Sequence, residues 1–244
     1  MTEQEWLECT DPQPMLEFLQ GKVSDRKLRL FAVACSRRIW PLLSDAVICE
    51  KTIAFAERFA DGLASTSELH GGGWGKVGSV FSVVLWDAWE AAENAVSYGA
   101  GMVKRAVLGL DTEKYATWTS AFETACYDHS LGEAMRMADA TLPTEYLAKG
   151  VQASSDEHNG QCHLLCDIFS NPFRPATFDP RWLTSTVIDL AKAIYEERAF
   201  DRMPILADAL MDAGCDNDDI IAHCRGDGPH VRGCWVVDLL LGKS

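Results

Sequence analysis

Apolar residues recur every three or four positions through most of this 244-residue chain, and this spacing constrains the fold more than any other feature. One amphipathic stripe runs through residues 28–43 and another through residues 187–195. No stretch alternates apolar and polar residues as a half-buried strand does, and no hairpin signal lies between β-rich runs. The pattern predicts an all-α fold: a multi-helix orthogonal or irregular solenoid-like stack of antiparallel helical hairpins.

Residues that typically begin helices precede several of these stripes. The predicted N-caps are Ser24 or Asp25, Thr184 or Ser185, and Asp216 or Asn217. Proline is favoured in the first turn of a helix, so Pro229 is predicted to open the last helix, which would carry Cys234 and Trp235.

Two stretches suggest how the chain is organised. The glycine-rich loop 71–78 lacks phosphate-loop spacing, since Val77 follows Lys76 where Ser or Thr is needed, and it is interpreted as a flexible interhelical loop. The polar stretch 152–161 is the best candidate for an internal boundary. We therefore predict a helical N-terminal region, residues 1–155, and a helical C-terminal module, residues 156–244; one continuous domain is the alternative.

The charge balance bears on the class of partner. Acidic residues outnumber basic ones 36 to 22, which gives a formal net charge of −14. Nucleic-acid binders normally carry a basic footprint, so nucleic acid is a disfavoured partner. A local basic cluster in residues 26–38 is interpreted as the solvated face of a helix.

Composition also bears on location. No apolar run approaches the roughly 18 residues of a membrane span, and the acidic start does not resemble a signal peptide. The nine cysteines are odd in number and scattered over helical stretches, so free thiols are expected rather than a disulfide framework. These features predict a cytoplasmic protein with no membrane partner.

The tail, residues 223–244, holds the strongest chemical candidates. On the predicted last helix, His230, Cys234 and Asp238 are spaced four residues apart and share one face. A His and a Cys at this spacing can bind one zinc ion. Further candidate ligands are His223, Cys224, Cys162, His163 and Cys166.

The same tail allows two other interpretations. Cys234 and His230 could act as a nucleophile and its base, with Asp238 or another acid orienting the imidazole. Alternatively Cys234 is simply core, because a thiol in apolar surroundings has a raised pKa and is inert. The structural interpretation leads, and it requires no cofactor; zinc is the cofactor of the alternative.

Both ends of the chain carry distinctive strings, EWLECTDPQPMLEFLQGKVSDRKLRLFA near the start and GPHVRGCWVVDLLLGK near the end. They resemble the corresponding ends of a family of uncharacterised bacterial proteins with no established activity. The resemblance covers about the first 45 and the last 80 residues. Similar tails occur attached to other modules, some of them repeat-bearing, which implies a recognition or scaffolding role by analogy.

The leading hypothesis is therefore a non-catalytic helical module for protein–protein interaction or regulation. Its acidic surface would favour a protein partner with a basic patch. Trp6, Trp74 and Trp182 lie outside the clear helical stripes and are the tryptophans most expected to be exposed as anchors. The alternative is a metal-binding or thiol-dependent enzyme or sensor built on residues 223–234.

Overall fold

A computed structural model describes residues 1–39, 46–65, 67–68, 87–96, 103, 144–176 and 178–243. Within these ranges the chain forms α-helices and short 3₁₀ turns with no β-strand, which confirms the all-α prediction. The helices are α1 (Glu3–Leu7), α2 (Pro12–Leu19), α3 (Asp25–Arg38), α4 (Ala46–Ala60), α5 (88–96), α6 (Thr144–Phe169), α7 (Ser185–Glu197), α8 (Met203–Asp212), α9 (Asp218–Arg225) and α10 (Trp235–Leu241).

The chain divides into two compact units, and the first of them is made from both ends of the sequence. Unit 1 comprises Met1–Glu8 and His163–Ser244, and unit 2 comprises Cys9–Cys162. Unit 2 is thus inserted between the two segments of unit 1. The division falls within α6, a few residues beyond the boundary expected at 155–156.

The polar stretch 152–161 is not a loop but part of α6. Its outward face is held by a hydrogen bond from Gln152 to Asp156, one helical turn away. Its inward face buries Glu157 and Gln161, whose side chains are hydrogen-bonded to each other. The buried positions of this helical stretch are polar but paired, and this explains why its composition resembles that of a loop.

Unit 1 has an apolar core built by α7 to α10. Helix α7 packs on α8 and α10, and α8 packs on α9. Among the fully buried side chains are Val187, Ile194, Leu206, Leu210 and Val236. Each such side chain contributes about 1.5–3 kcal/mol relative to exposure, so this core dominates the stability of the unit.

Side-chain caps begin two of these helices where the sequence predicted them. The hydroxyl of Thr184 accepts a hydrogen bond from the backbone N–H of Val187 at the start of α7. The side-chain oxygen of Asn217 accepts from two backbone N–H groups at the start of α9. A cap of this kind contributes about 1 kcal/mol.

In unit 2 the basic cluster of α3 is not a solvated face, contrary to expectation. Arg26 pairs with Asp61 at 2.9 Å, and Arg37 pairs with Glu57 at 2.9 Å. Both carboxylates are almost fully buried, so Arg26 and Arg37 are paired with groups inside the unit. This pairing weakens the case for a phosphate-binding surface on α3.

Arg38 forms the third ion pair of this cluster, with Glu157 at 3.1 Å. Gly160, one turn further along α6, makes room for it, because a Cβ there would overlap the guanidinium of Arg38. A mid-helix glycine costs helix stability, so its presence here is explained by this close approach.

Two of the three tryptophans expected at the surface are buried. Trp6 is 1% exposed and Trp182 is 6% exposed, and the indole N–H of Trp182 donates to the carbonyl of Gly214 at 3.1 Å. Trp74 and the loop 71–78 lie outside the described residues. Within the described ranges, no helix has the length and apolarity needed to cross a membrane.

Candidate metal centre

Four side chains converge in unit 1: Asp167, His223, His230 and Cys234. One potential ligand atom from each lies within 4.8 Å of the other three. Oδ1 of Asp167 lies 2.8 Å from Nδ1 of His230 and 3.1 Å from Nε2 of His223. Sγ of Cys234 lies 3.2 Å from Nε2 of His223 and 4.0 Å from Nδ1 of His230.

Two helix ends supply the first two members. Asp167 lies in the last turn of α6, and His223 lies in the last turn of α9. The apolar face of α9 buries Ile220 and Cys224 and so fixes the direction in which His223 projects. Both side chains are therefore carried by helices that the core holds in place.

The other two members come from the loop that precedes α10, not from a helix. We expected Pro229 to open the last helix, but α10 begins at Trp235 and Cys234 is its N-cap. Gly233 adopts a φ of +95°, which a right-handed helix does not allow. A turn closed by the hydrogen bond from Cys234 N to Val231 O, at 2.9 Å, takes the place of the predicted helical turn.

Two contacts hold this loop against the rest of the unit. The backbone N–H of Val231 donates to Oδ2 of Asp167 at 3.0 Å. Arg232 donates to the backbone carbonyls of Tyr195 and Glu196 at the end of α7, at 3.1 and 3.3 Å. The last carbonyls of a helix have no partner within it, so Arg232 satisfies them and anchors the loop.

Burial sets the electrostatics of the cluster. Burial disfavours the ionised form of Asp167, but hydrogen bonds to His223 and His230 outweigh it and lower the pKa of this carboxyl. For Cys234, burial and the nearby charge of Asp167 raise the pKa of the thiol well above its ordinary value, against a smaller opposing effect of backbone N–H groups. The site thus combines a carboxylate with a thiol that stays protonated unless a cation enters.

The two imidazoles differ in their surroundings. His223 packs against the ring of Trp235 with 5.0 Å between centroids, and 17% of its side chain is exposed. His230 is 7% exposed, and its Nε2 is buried without a hydrogen-bond partner among the described residues. Only Nδ1 of His230 is therefore directed at a polar neighbour.

The spacing of the four atoms is close to that of tetrahedral zinc. Zinc lies about 2.0–2.2 Å from nitrogen or oxygen ligands and about 2.3 Å from sulfur, which places tetrahedral ligand atoms about 3.3–3.6 Å apart. Four of the six distances among these atoms range from 2.8 to 4.0 Å, and all six are at most 4.8 Å. Shifts of up to about 1 Å would bring the four atoms to the tetrahedral spacing.

Three of the residues proposed from the sequence, His223, His230 and Cys234, lie in this cluster. The other candidates lie elsewhere: Cys224 and Asp238 are buried outside it, Cys166 is half-buried, Cys162 is buried in unit 2, and His163 is exposed. The acid hydrogen-bonded to His230 is Asp167, so Asp167 and not Asp238 stands where the catalytic alternative needs an orienting acid.

Asp167 was missed by the sequence analysis. It follows Cys166 in the run LLCDIF at the end of α6, where an acid faces the negative end of the helix dipole. An acid inside an apolar run at an unfavourable helix end is a usable signal of a polar site. Its three partners, however, are more than 50 residues away in the chain.

Comparison of the chain with protein-family models, curated proteins and solved structures found no match in any of the three. The interpretation of the centre therefore depends on its residues and their geometry.

Proposed function

We propose that unit 1 is a zinc-binding helical module in which Asp167, His223, His230 and Cys234 are the ligands. The observation that carries this proposal is the convergence of four donor atoms of the types that zinc prefers within 4.8 Å. These four groups come from three separate segments, and burying each of them costs free energy unless it is hydrogen-bonded or binds a metal.

The same geometry favours a structural or sensing role over catalysis. A four-residue ligand set closes the zinc coordination sphere, whereas catalytic sites leave one position for water or substrate. The thiol-dependent alternative is disfavoured, because Cys234 is fully buried and its pKa is raised, so no thiolate nucleophile is available without a metal.

The interaction hypothesis stays a prediction. Two of its proposed anchors, Trp6 and Trp182, are buried, so a partner would have to use other surfaces. A metal-stabilised module remains compatible with a recognition role and with a basic protein partner, and zinc would then support the fold that presents the binding surface.

The test is the metal content of the full chain, purified without a tag, dialysed and analysed by elemental analysis. About one zinc per chain is expected, with loss of the metal in the His223→Ala and His230→Ala variants. The matched control is His163→Ala, which removes an exposed histidine and should retain the metal. Absence of metal after growth and refolding with zinc would overturn the proposal.

Cobalt provides a second measurement. Replacing zinc with Co²⁺ should give the visible absorption of a tetrahedral site together with a thiolate charge-transfer band, and Cys234→Ser should remove the band alone. A cobalt spectrum without the thiolate band would exclude Cys234 as a ligand.

A further inference from the structure

We infer that the first helix, α1, regulates the metal centre: docking of α1 on unit 1 and metal binding are thermodynamically linked. The inference rests on the proposed zinc function. It goes further in assigning a role to Met1–Glu8, the segment that belongs to unit 1 although unit 2 separates it from the remainder.

A polar clasp joins α1 to the segment that follows a proposed ligand. The side-chain amide of Asn171 donates to Oε1 of Glu3 at 2.7 Å, and Nε of Arg174 pairs with the same oxygen. Asn171 follows Asp167 by only four residues, just beyond the end of α6. A change in the position of Asp167 is therefore transmitted to the groups that hold Glu3.

A cavity lies between α1 and the other side of the centre. Trp6 lines a cavity together with His223 and Trp235, and Trp6 itself is 1% exposed. His223 is a proposed ligand, and Trp235 directly follows another, Cys234. Helix α1 thus forms one wall of this cavity, and a proposed ligand and the neighbour of another form part of its other walls.

These two connections predict reciprocal effects. If α1 docks more tightly when the metal is bound, the metal must bind more tightly when α1 is docked, by the same factor. Loss of the metal would then release α1 and expose the indole of Trp6, so the module would report metal availability through the position of its first helix.

The experiment measures zinc affinity in the full chain by competition with a chromophoric chelator. Glu3→Ala removes the clasp, and Trp6→Ala removes the buried indole that lines the cavity shared with His223. Gln4→Ala is the control, because Gln4 is exposed on the same helix and its side-chain amide donates to Glu8, away from Asn171 and Arg174. We expect the Kd for zinc to rise about fivefold or more in the first two variants and to stay unchanged in the control.

A second readout tests the opposite direction. A glutamyl endopeptidase can cut after Glu3, Glu5 and Glu8, and chelation of zinc should accelerate cleavage at these sites at least several-fold.

The outcomes separate the two proposals. A wild-type chain that binds no zinc would overturn the proposed function. Zinc binding with equal affinity in wild type, Glu3→Ala and Trp6→Ala would leave that function standing and overturn the linkage. If Trp6→Ala fails to fold by circular dichroism, Glu3→Ala decides, since it removes a polar contact and leaves the core intact.

Discussion

Oδ1 of Asp167 lies 2.8 Å from Nδ1 of His230, although 63 residues separate them in the chain. The other oxygen of the same carboxylate accepts the backbone N–H of Val231 at 3.0 Å. One side chain at the end of α6 therefore holds both the imidazole and the backbone of the loop before α10. This makes Asp167 the residue on which the geometry of the centre depends most.

Asp167→Asn should weaken zinc binding by about tenfold or more, because the amide keeps the shape and one acceptor but loses the charge. Asp238→Asn is the matched control: Asp238 is equally buried but lies outside the cluster. Zinc affinity measured for both variants checks the assignment. Equal losses would indicate a general effect of burial, and a loss in Asp238→Asn alone would contradict the ligand set.

Gly233→Ala should destabilise unit 1 by about 1–2 kcal/mol and weaken zinc binding, because a side chain is strained at a φ of +95°. The turn at Gly233 sets the position of Cys234, so strain there displaces a ligand. Gly228→Ala is the control, since a Cβ at that position meets no atom within 4 Å. Thermal unfolding with and without zinc measures both effects; similar behaviour of the two variants would contradict the role of the turn.

Gly160→Ala should destabilise unit 2 by about 1 kcal/mol, although alanine normally favours a helix. The new Cβ would force the guanidinium of Arg38 away from Glu157 and weaken their ion pair, while Glu157 keeps the hydrogen bond from Gln161. This destabilisation is smaller than that expected for breaking a fully buried ion pair, because 33% of the Arg38 side chain is exposed to solvent. Urea unfolding is the measurement, with Asn159→Ala, exposed in the same turn, as a control that should be neutral or stabilising.

Alkylation of cysteines should be strongly selective. Among the seven cysteines whose burial the structure describes, Cys9 and Cys166 are partly exposed and should react first with iodoacetamide near pH 8. Burial raises the pKa of Cys224 to about 12 and that of Cys234 well above its ordinary value, so both should react slowly. Mass spectrometry of timed samples checks the order, and fast modification of Cys234 in the native chain would revive the thiol-dependent interpretation.

The stability of unit 2 should fall as the pH drops below about 6.5, the ordinary pKa of histidine. Burial lowers the pKa of His158, against the opposing charges of Asp11 and Glu157. Below about pH 6.5 the unfolded chain therefore takes up a proton on His158 that the folded chain does not yet bind. The stability that is present above about pH 6.5 is lost as the pH falls towards the lower pKa of the folded state. His158→Gln should reduce the difference between urea midpoints at pH 7.5 and 5.5; an unchanged difference would assign the effect to other groups.

Local signals were enough to predict the helical class and several helix starts. Ser24, Thr184 and Asn217 cap helices as their positions suggested, because a cap depends only on residues within one turn. The helical face proposed for His230 and Cys234 was wrong because it was also inferred from local residues alone. Pro229 is a good first residue of a helix, but Gly233 takes a left-handed conformation in the folded unit and prevents a helix there.

The centre itself depends on contacts that no local pattern contains. His223 and Cys234 were proposed from their proximity in sequence, whereas Asp167 joins them only because α6 ends beside the loop before α10. The burial of Trp6 was likewise unpredictable, since its partners lie in the other segment of unit 1. A residue that completes a site from a distant segment can be identified only when the tertiary fold is known.

The insertion of unit 2 into unit 1 has a consequence for synthesis on the ribosome. Residues 1–8 emerge before the segment they dock on, which begins at residue 163. At translation rates of about 5–20 residues per second, synthesis reaches residue 163 roughly ten to thirty seconds after α1 has been made. Unit 2 can fold during this interval, whereas α1 cannot yet dock. During that interval every nascent chain displays the indole of Trp6 to chaperones and neighbouring ribosomes, so the rate of translation sets how long this helix is at risk of capture.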